Sequence, residues 1–221
     1  MVLLLLFLLA SAADGIRKTG TTIAGVVFRD GCVLGADERA TEGSLIADPE
    51  CMKIHEISEN VFACGAGTSA DAAQLCRHAQ LDLVLLRRRE EAARGGKARP
   101  TTVAAARGVV LKRLRSAPAM ECALILGGVD GSGAHLYRID DGATHAVPLA
   151  AMGSGSLAAT PVLEAAYRDD LDEESAIAAV RSAVSAGVTF DAMSGGRVNI
   201  LVIGREGRVT RHTFFVMKNN N

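Results

Sequence analysis

The chain has 221 residues, 49% of them hydrophobic and 22% charged, with a formal net charge of −1 at pH 7. That length and balance sustain one buried core and set aside disordered and fibrous classes. A near-neutral chain carries no electrostatic footprint for nucleic acid.

The first segment, Leu3 to Ala10 followed by Ser11-Ala12-Ala13, imitates the apolar stretch of a secretory signal. It is too short to span a bilayer, and nothing basic precedes Leu3, so a removable pro-segment over residues 1–20 is preferred to a signal. Residues 21–221 then form a single domain.

Thr22 to Phe28 is β-branched and apolar, Asp30-Gly31 reads as a hairpin turn, and Cys32 to Ala36 resumes the strand pattern. A second strand pair is expected at Met52 to Ile57 and Val61 to Cys64, around the turn Ser58-Glu59-Asn60. Thr68 with Asp71 three residues on resembles a capping box, and a helix follows over roughly residues 69–92, closed by Gly95-Gly96. Another helix begins after Pro100. Val103, Val110, Leu111 and Leu114 form its apolar side, and Arg107, Lys112, Arg113 and Arg115 its wet face.

Strands return at Cys122 to Val129, Ala134 to Ile139 and Ala143 to Val147, punctuated by Gly131-Ser132-Gly133 and Asp141-Gly142. Helices are expected near Leu157 to Arg168 and Glu173 to Ala186, the second capped by Asp172 and closed by Gly187. Val198 to Ile203 and Val209 to Val216 are the last strands. Hairpin turns imply antiparallel pairing with helices outside, so the fold class is α+β, a four-layer α/β/β/α sandwich of two mainly antiparallel sheets.

The five cysteines, Cys32, Cys51, Cys64, Cys76 and Cys122, are odd in number and unevenly spaced, with no CxxC pair. They argue against a zinc site or a disulfide framework and for reduced thiols in the cytoplasm and nucleus. No GxSxG, HExxH or phosphate-binding glycine loop occurs, the five histidines are scattered, and no cofactor or metal is expected. What remains is Lys18-Thr19-Gly20-Thr21-Thr22, just ahead of the first strand.

A threonine hydroxyl needs a base, and a threonine at a chain terminus can use its own α-amino group. Such an amine titrates near ~7.7–8.0, low enough to be partly neutral in a cell. The chemistry requires that nothing precede Thr21, and Gly20, lacking a Cβ, suits the residue before the cut. Alone, Gly-Thr-Thr is merely the start of a strand.

Its company is distinctive. Thr21-Thr22-Ile23-Ala24-Gly25-Val26-Val27 is followed by Gly35-Ala36-Asp37, Arg39-Ala40-Thr41-Glu42-Gly43, Lys53-Ile54-His55 and Gly65-Ala66-Gly67-Thr68. Met152-Gly153-Ser154-Gly155-Ser156-Leu157 and Asp191-Ala192-Met193-Ser194-Gly195-Gly196 complete the set. Together these blocks resemble the proteasome beta family of N-terminal nucleophile hydrolases, most closely its trypsin-like, second beta type.

The resemblance implies a threonine endopeptidase that cuts itself between Gly20 and Thr21 and sits in stacked rings of seven with other alpha and beta subunits, acting on unfolded polypeptide substrates. It implies Thr21 as nucleophile, Lys53 as a cation favouring the alkoxide-like hydroxyl, Asp37 fixing that lysine, and Ser154, Asp191 and Ser194 holding the amine. Gly67 would offer its N–H to an oxyanion, and Thr41 and Gly43 would take the substrate as an added strand. Ala40, Cys51, His55, Gly65, Ser69 and Ala73 would line the first pocket.

The trypsin-like type usually carries an acid where this chain has Ala73. Cleavage after basic residues would then rest on Glu42 or on a neighbouring subunit. The tail after Val216 is also short. Rival readings are a structural ring subunit that retains its pro-segment and a secreted hydrolase of the same architecture.

Overall fold

A computed structural model describes residues 20–117 and 120–216. The apolar start and the terminal Asn219-Asn220-Asn221 lie outside the described residues.

The chain begins with β1 (Ile23–Phe28) and β2 (Gly31–Asp37). Phe28 pairs with Gly31, so Arg29 and Asp30 are the two loop residues and the expected Asp30-Gly31 turn is displaced by one. Gly31 serves the sheet instead: a Cβ there would collide with the carbonyl oxygen of Ile203 on the neighbouring strand. A small hairpin follows, β3 (Ala40–Glu42) and β4 (Leu45–Asp48), then β5 (Ile54–Ser58) and β6 (Val61–Gly67).

Helix α1 (Ser69–Arg94) ends where Gly95 adopts φ +65° and donates its N–H to Glu91 O. Its start corrects the expected capping box, because Thr68 makes no side-chain cap and the Asp71 carboxylate accepts from the Glu121 N–H, 3.3 Å away. Helix α2 (Val103–Ser116) is capped by the Thr102 hydroxyl on the Ala105 N–H, and the expected Val103, Val110, Leu111 and Leu114 are its buried side.

Next come β7 (Cys122–Asp130), β8 (Gly133–Asp140), β9 (Ala143–Ala146) and β10 (Leu149–Met152). The β8–β9 connection places Asp141 at φ +48° and Gly142 at φ +71°, the backbone that an Asp-Gly hairpin favours. Helix α3 (Ser156–Ala166) precedes α4 (Glu173–Phe190), whose Asp172 cap accepts from the Ser175 N–H at 2.8 Å. Gly187 does not close α4, which runs three residues further; the glycine leaves room for Thr22 against the helix. Strands β11 (Val198–Gly204) and β12 (Val209–Phe214) end the fold.

The strands form two five-stranded sheets, ordered β10-β1-β2-β11-β12 and β5-β6-β7-β8-β9, and the separate pair β3-β4. Every ladder is antiparallel. Three apolar clusters lie between layers. Leu75, Ala79, Val110 and Leu114 pack on Leu124 and Leu126, Val180 and Val184 pack on Val33 and Ile200, and Ile23, Leu34 and Leu201 meet Cys64 and Ile125 between the sheets. The four-layer sandwich expected from sequence is the observed fold. Both sheets present one face to helices and one to each other, so their central strands are buried on both sides.

Ile125 is fully buried at the inter-sheet layer. Truncation to alanine removes three methylene equivalents from a layer that cannot collapse, and Ile125→Ala is expected to cost about 2–5 kcal/mol, measured by urea unfolding.

Candidate active site

Thr21 and Thr22 lead into β1 and are both buried. Because Ile23 pairs with Ala36, the next residue on each strand brings Thr22 against Asp37, whose N–H donates to Thr22 O at 3.1 Å. The Asp37 carboxylate is wholly buried. One oxygen accepts from the Thr22 N–H at 2.8 Å and from Lys53 Nζ at 2.7 Å. The other accepts from the N–H groups of Gly195 at 3.0 Å and Arg39 at 3.3 Å.

Lys53, ahead of β5, is only 4% exposed. Its ammonium also donates to Gly20 O at 2.8 Å and Arg39 O at 2.6 Å, which uses its three protons. Burial pushes the Asp37 carboxyl up and the Lys53 ammonium down from their usual ranges, and each partner pulls the other part of the way back.

The chain is continuous through the Gly20–Thr21 bond. Thr21 Oγ1 donates to Gly20 O at 2.7 Å, so that carbonyl receives both a hydroxyl and an ammonium proton. The Gly20 N–H donates to Thr41 Oγ1 on β3 at 3.0 Å. A side chain on Gly20 would collide with Met193, which explains why the position before Thr21 takes no Cβ.

On the opposite side the Thr21 N–H donates to Ser154 Oγ at 3.1 Å. Asp191, the residue after α4, accepts from Ser154 Oγ at 2.5 Å and Ser194 Oγ at 2.7 Å through one oxygen, and from the Met193 N–H at 3.1 Å through the other. Burial works against its ionisation, but these donors outweigh it and hold the carboxyl below the usual aspartate range. The Ser194 hydroxyl bridges Asp191 and the Thr22 hydroxyl, 2.8 Å away.

Gly67 ends β6 at φ +100°, directly before α1, and a Cβ there would collide with Glu121 O. Only glycine fits that conformation and that space. Beside Gly67, Ser154 and Met193 runs a groove of about 1080 Å³, also lined by Cys122, Met152 and Thr160.

The pocket residues expected from sequence lie on β3, around the start of β5, on β6 and on α1. Cys51, Lys53 and His55 follow one another in alternation, Cys51 bonded through its N–H to Glu38 O at 2.7 Å. Gly65 on β6 donates its N–H to Lys53 O at 3.0 Å, and a Cβ on it would come within 2.5 Å of the Ala72 methyl. Ser69 stands at the start of α1, and Ala73 lies one turn further along the helix. Burial raises the Cys51 thiol and lowers the His55 imidazole. Ala40 and Thr41 are buried on β3, while Gly43 stands at the exposed tip of the β3–β4 turn at φ +60°.

Several contacts have no signature in the sequence. The Arg39 carbonyl, the Gly195 N–H, the Thr22 hydroxyl and the Thr41 hydroxyl stand in the distinctive blocks, but the contacts they make here arise from tertiary geometry that no local pattern announces. The visible hint is the glycine content of residues 153–155 and 195–196: a Cβ at Gly153 would strike Thr21 O, and one at Gly155 the Thr22 hydroxyl.

A buried strand-end threonine framed by a lysine–aspartate pair and a serine–aspartate pair, in an α/β/β/α sandwich, defines the N-terminal nucleophile hydrolase class. The proteasome subunit family profile matches residues 17–203, and the chain belongs to that family, among its beta subunits. It is 43% identical over 194 residues to proteasome subunit beta type-7 of Dictyostelium discoideum, spanning 87% of this chain and 71% of that protein. It is 44% identical to proteasome subunit beta type-7-B of Arabidopsis thaliana, over 86% of this chain and 68% of the relative. A probable proteasome subunit beta type-2 of Encephalitozoon cuniculi is 38% identical over 87% of this chain and 82% of its own length.

Among the described residues no helix is long and apolar enough to cross a membrane, and no group of three or more His, Cys, Asp or Glu side chains is arranged to hold a metal ion.

Removing one member of a buried ion pair strands the other charge. Asp37→Ala also orphans the Thr22 and Gly195 N–H groups and is expected to lower stability by about 3–5 kcal/mol. Adding Lys53→Met should recover part of that loss, read as a coupling energy in a double-mutant cycle of chemical unfolding.

Proposed function

We propose that this beta subunit is a threonine-type endopeptidase of the proteasome core particle, with residues 1–20 a pro-segment removed by self-cleavage between Gly20 and Thr21. The observation that carries the reading is the placement of Thr21: its hydroxyl adjoins the Lys53–Asp37 pair through Gly20 O, and its nitrogen adjoins Ser154 and Asp191.

In the uncut chain, the two donors on Gly20 O draw electron density from that carbonyl and favour attack by the neighbouring hydroxyl. The Gly20 C–Thr21 N bond then breaks as the nitrogen takes the hydroxyl proton, and hydrolysis of the resulting ester would free both the Thr21 amine and its hydroxyl. In the mature subunit the amine takes the hydroxyl proton, and the oxygen attacks a substrate carbonyl carbon. The cation of Lys53 stabilises the developing negative charge on Oγ1. The tetrahedral oxyanion is met by the Gly67 N–H, the proton passes to the leaving amine, and water then releases the acyl group. Thr41 and Gly43 would hold the polypeptide as an added strand on the β3 edge.

The substrates would be unfolded polypeptides, delivered inside rings of alpha and beta subunits in the cytoplasm and nucleus. The five cysteines are thiols here, four of them buried, which suits a reducing compartment. In the first pocket Ala73 supplies no carboxylate, so a preference for basic residues would rest on Glu42 or on a neighbour's acid.

Thr21→Ala is expected to abolish hydrolysis of fluorogenic peptides while the particle still assembles, and intact mass of the wild-type subunit should correspond to a chain beginning at Thr21. Retained activity in the variant, or an assembled and active particle that keeps Gly20, would refute the reading.

A pH profile tests the base. Activity should rise as the Thr21 amine loses its proton near ~7.7–8.0. Asp191 is ionised there and stabilises the protonated amine through Ser154. Asp191→Asn removes that stabilisation, so the acid limb should move to lower pH while kcat falls.

A further inference from the structure

Asp37 and Glu38 are consecutive acids that face opposite ways at the end of β2. Asp37 meets Lys53, whereas Glu38 turns to the far side and is buried to 6% exposure. One Glu38 carboxylate oxygen accepts from Arg197 Nε at 2.7 Å and from the Arg197 backbone N–H at 3.3 Å. The other accepts from Asn199 Nδ2 at 2.8 Å. The same guanidinium reaches Glu50 at 3.1 Å.

The segment pinned in this way carries half of the threonine centre. Gly195 O accepts the N–H groups of Glu38 at 3.2 Å and Arg39 at 3.1 Å, while its own N–H donates to Asp37. One residue earlier, Ser194 bonds Asp191 and Thr22. One residue later, Gly196 takes φ +79°, and a Cβ on it would lie 3.2 Å from Glu38 Cβ, so the turn is seated directly on Glu38. Glu38 O also holds the Cys51 N–H, on the wall of the first pocket.

We propose that Glu38 and Arg197 are a positioning pair for the threonine centre, fixing the 194–196 turn so that the Gly195 N–H stays on Asp37 and the Ser194 hydroxyl stays on Asp191. Neither side chain reaches Thr21. They act by keeping two short hydrogen bonds in register, and small misplacements of such groups reduce rates strongly while leaving distant substrate contacts intact. A purely structural ion pair would alter stability and yield without altering turnover at sites that had formed.

The inference rests on the peptidase reading. Its test uses the assembled particle, with competent sites counted by a peptide electrophile that labels the free Thr21 terminus, so that defects in processing or assembly drop out. Arg197→Met suits the purpose because the side chain is 37% exposed and its backbone N–H is kept.

The variant is expected to lower kcat per labelled Thr21 by about tenfold or more with KM changed by less than about twofold. Arg197→Lys, which keeps the charge but not the fork, should restore part of the loss. Unchanged kcat per labelled site in Arg197→Met, or equal losses in the two variants, overturns the inference alone. A wild-type particle with no Thr21-dependent hydrolysis overturns the peptidase reading and this inference with it.

Discussion

The arrangement turns on one buried carboxylate. Asp37 has no access to water, so its charge must be satisfied from within, and it is met by one ammonium and three backbone N–H groups. Those donors come from the start of β1, the residue after Glu38, the segment before β5 and the turn before β11. A single charge therefore gathers four separate stretches of chain, and a half-satisfied version would be worse than an apolar residue in the same place. Lys53 carries the constraint onward, since its remaining protons go to the carbonyls of Gly20 and Arg39. The electrostatic requirement that holds the strand ends together is the same one that sets a cation beside Thr21.

Close packing around the two threonines supplies the second condition. Gly153, Gly155 and Gly187 leave no room for a side chain where the 153–155 turn and α4 approach Thr21 and Thr22. The absence of Cβ atoms lets Ser154 reach the Thr21 nitrogen and lets Ser194 reach the Thr22 hydroxyl. Helix α4 is thus more than a cover for the sheet: its length delivers Asp191 to the serines, and stopping at Gly187 would have left that carboxylate short of them.

Much of the fold was legible because its signals are local. The β8–β9 turn, the Asp172 cap and the apolar side of α2 each depend on residues within a single element or turn, and each appears where the sequence placed it. The errors have local causes too. Thr68-x-x-Asp71 has the look of a capping box, but Asp71 found a better partner in the Glu121 N–H, fifty residues away. Gly31 and Gly187 looked like punctuation, yet both are close-approach positions whose neighbours are distant in the chain. Strands β3 and β4 form a short pair apart from both large sheets, and the Leu-Ala-Ala-Met of β10 has no β-branched pattern; β10 is a strand because β1 offers it an edge.

By itself the sequence offered a series of blocks, from Thr21-Thr22 to Ser194-Gly195-Gly196, whose resemblance to one family nominates Thr21, Asp37, Lys53, Ser154, Asp191 and Ser194 as candidates for the chemistry. It also determined the alternation of strands and helices, since hydrophobic periodicity and turn residues act over a few positions. Only the tertiary structure decided that Thr21 and Ser154, 133 positions apart, would stand within hydrogen-bond distance. It alone set Ser194 between Asp191 and the Thr22 hydroxyl, and recruited the Arg39 carbonyl, the Gly195 N–H and the Glu38–Arg197 pair. Those contacts are made by backbone groups that every residue possesses, or by side chains whose partners lie far along the chain. Folding, and no local pattern, selects which of them meet.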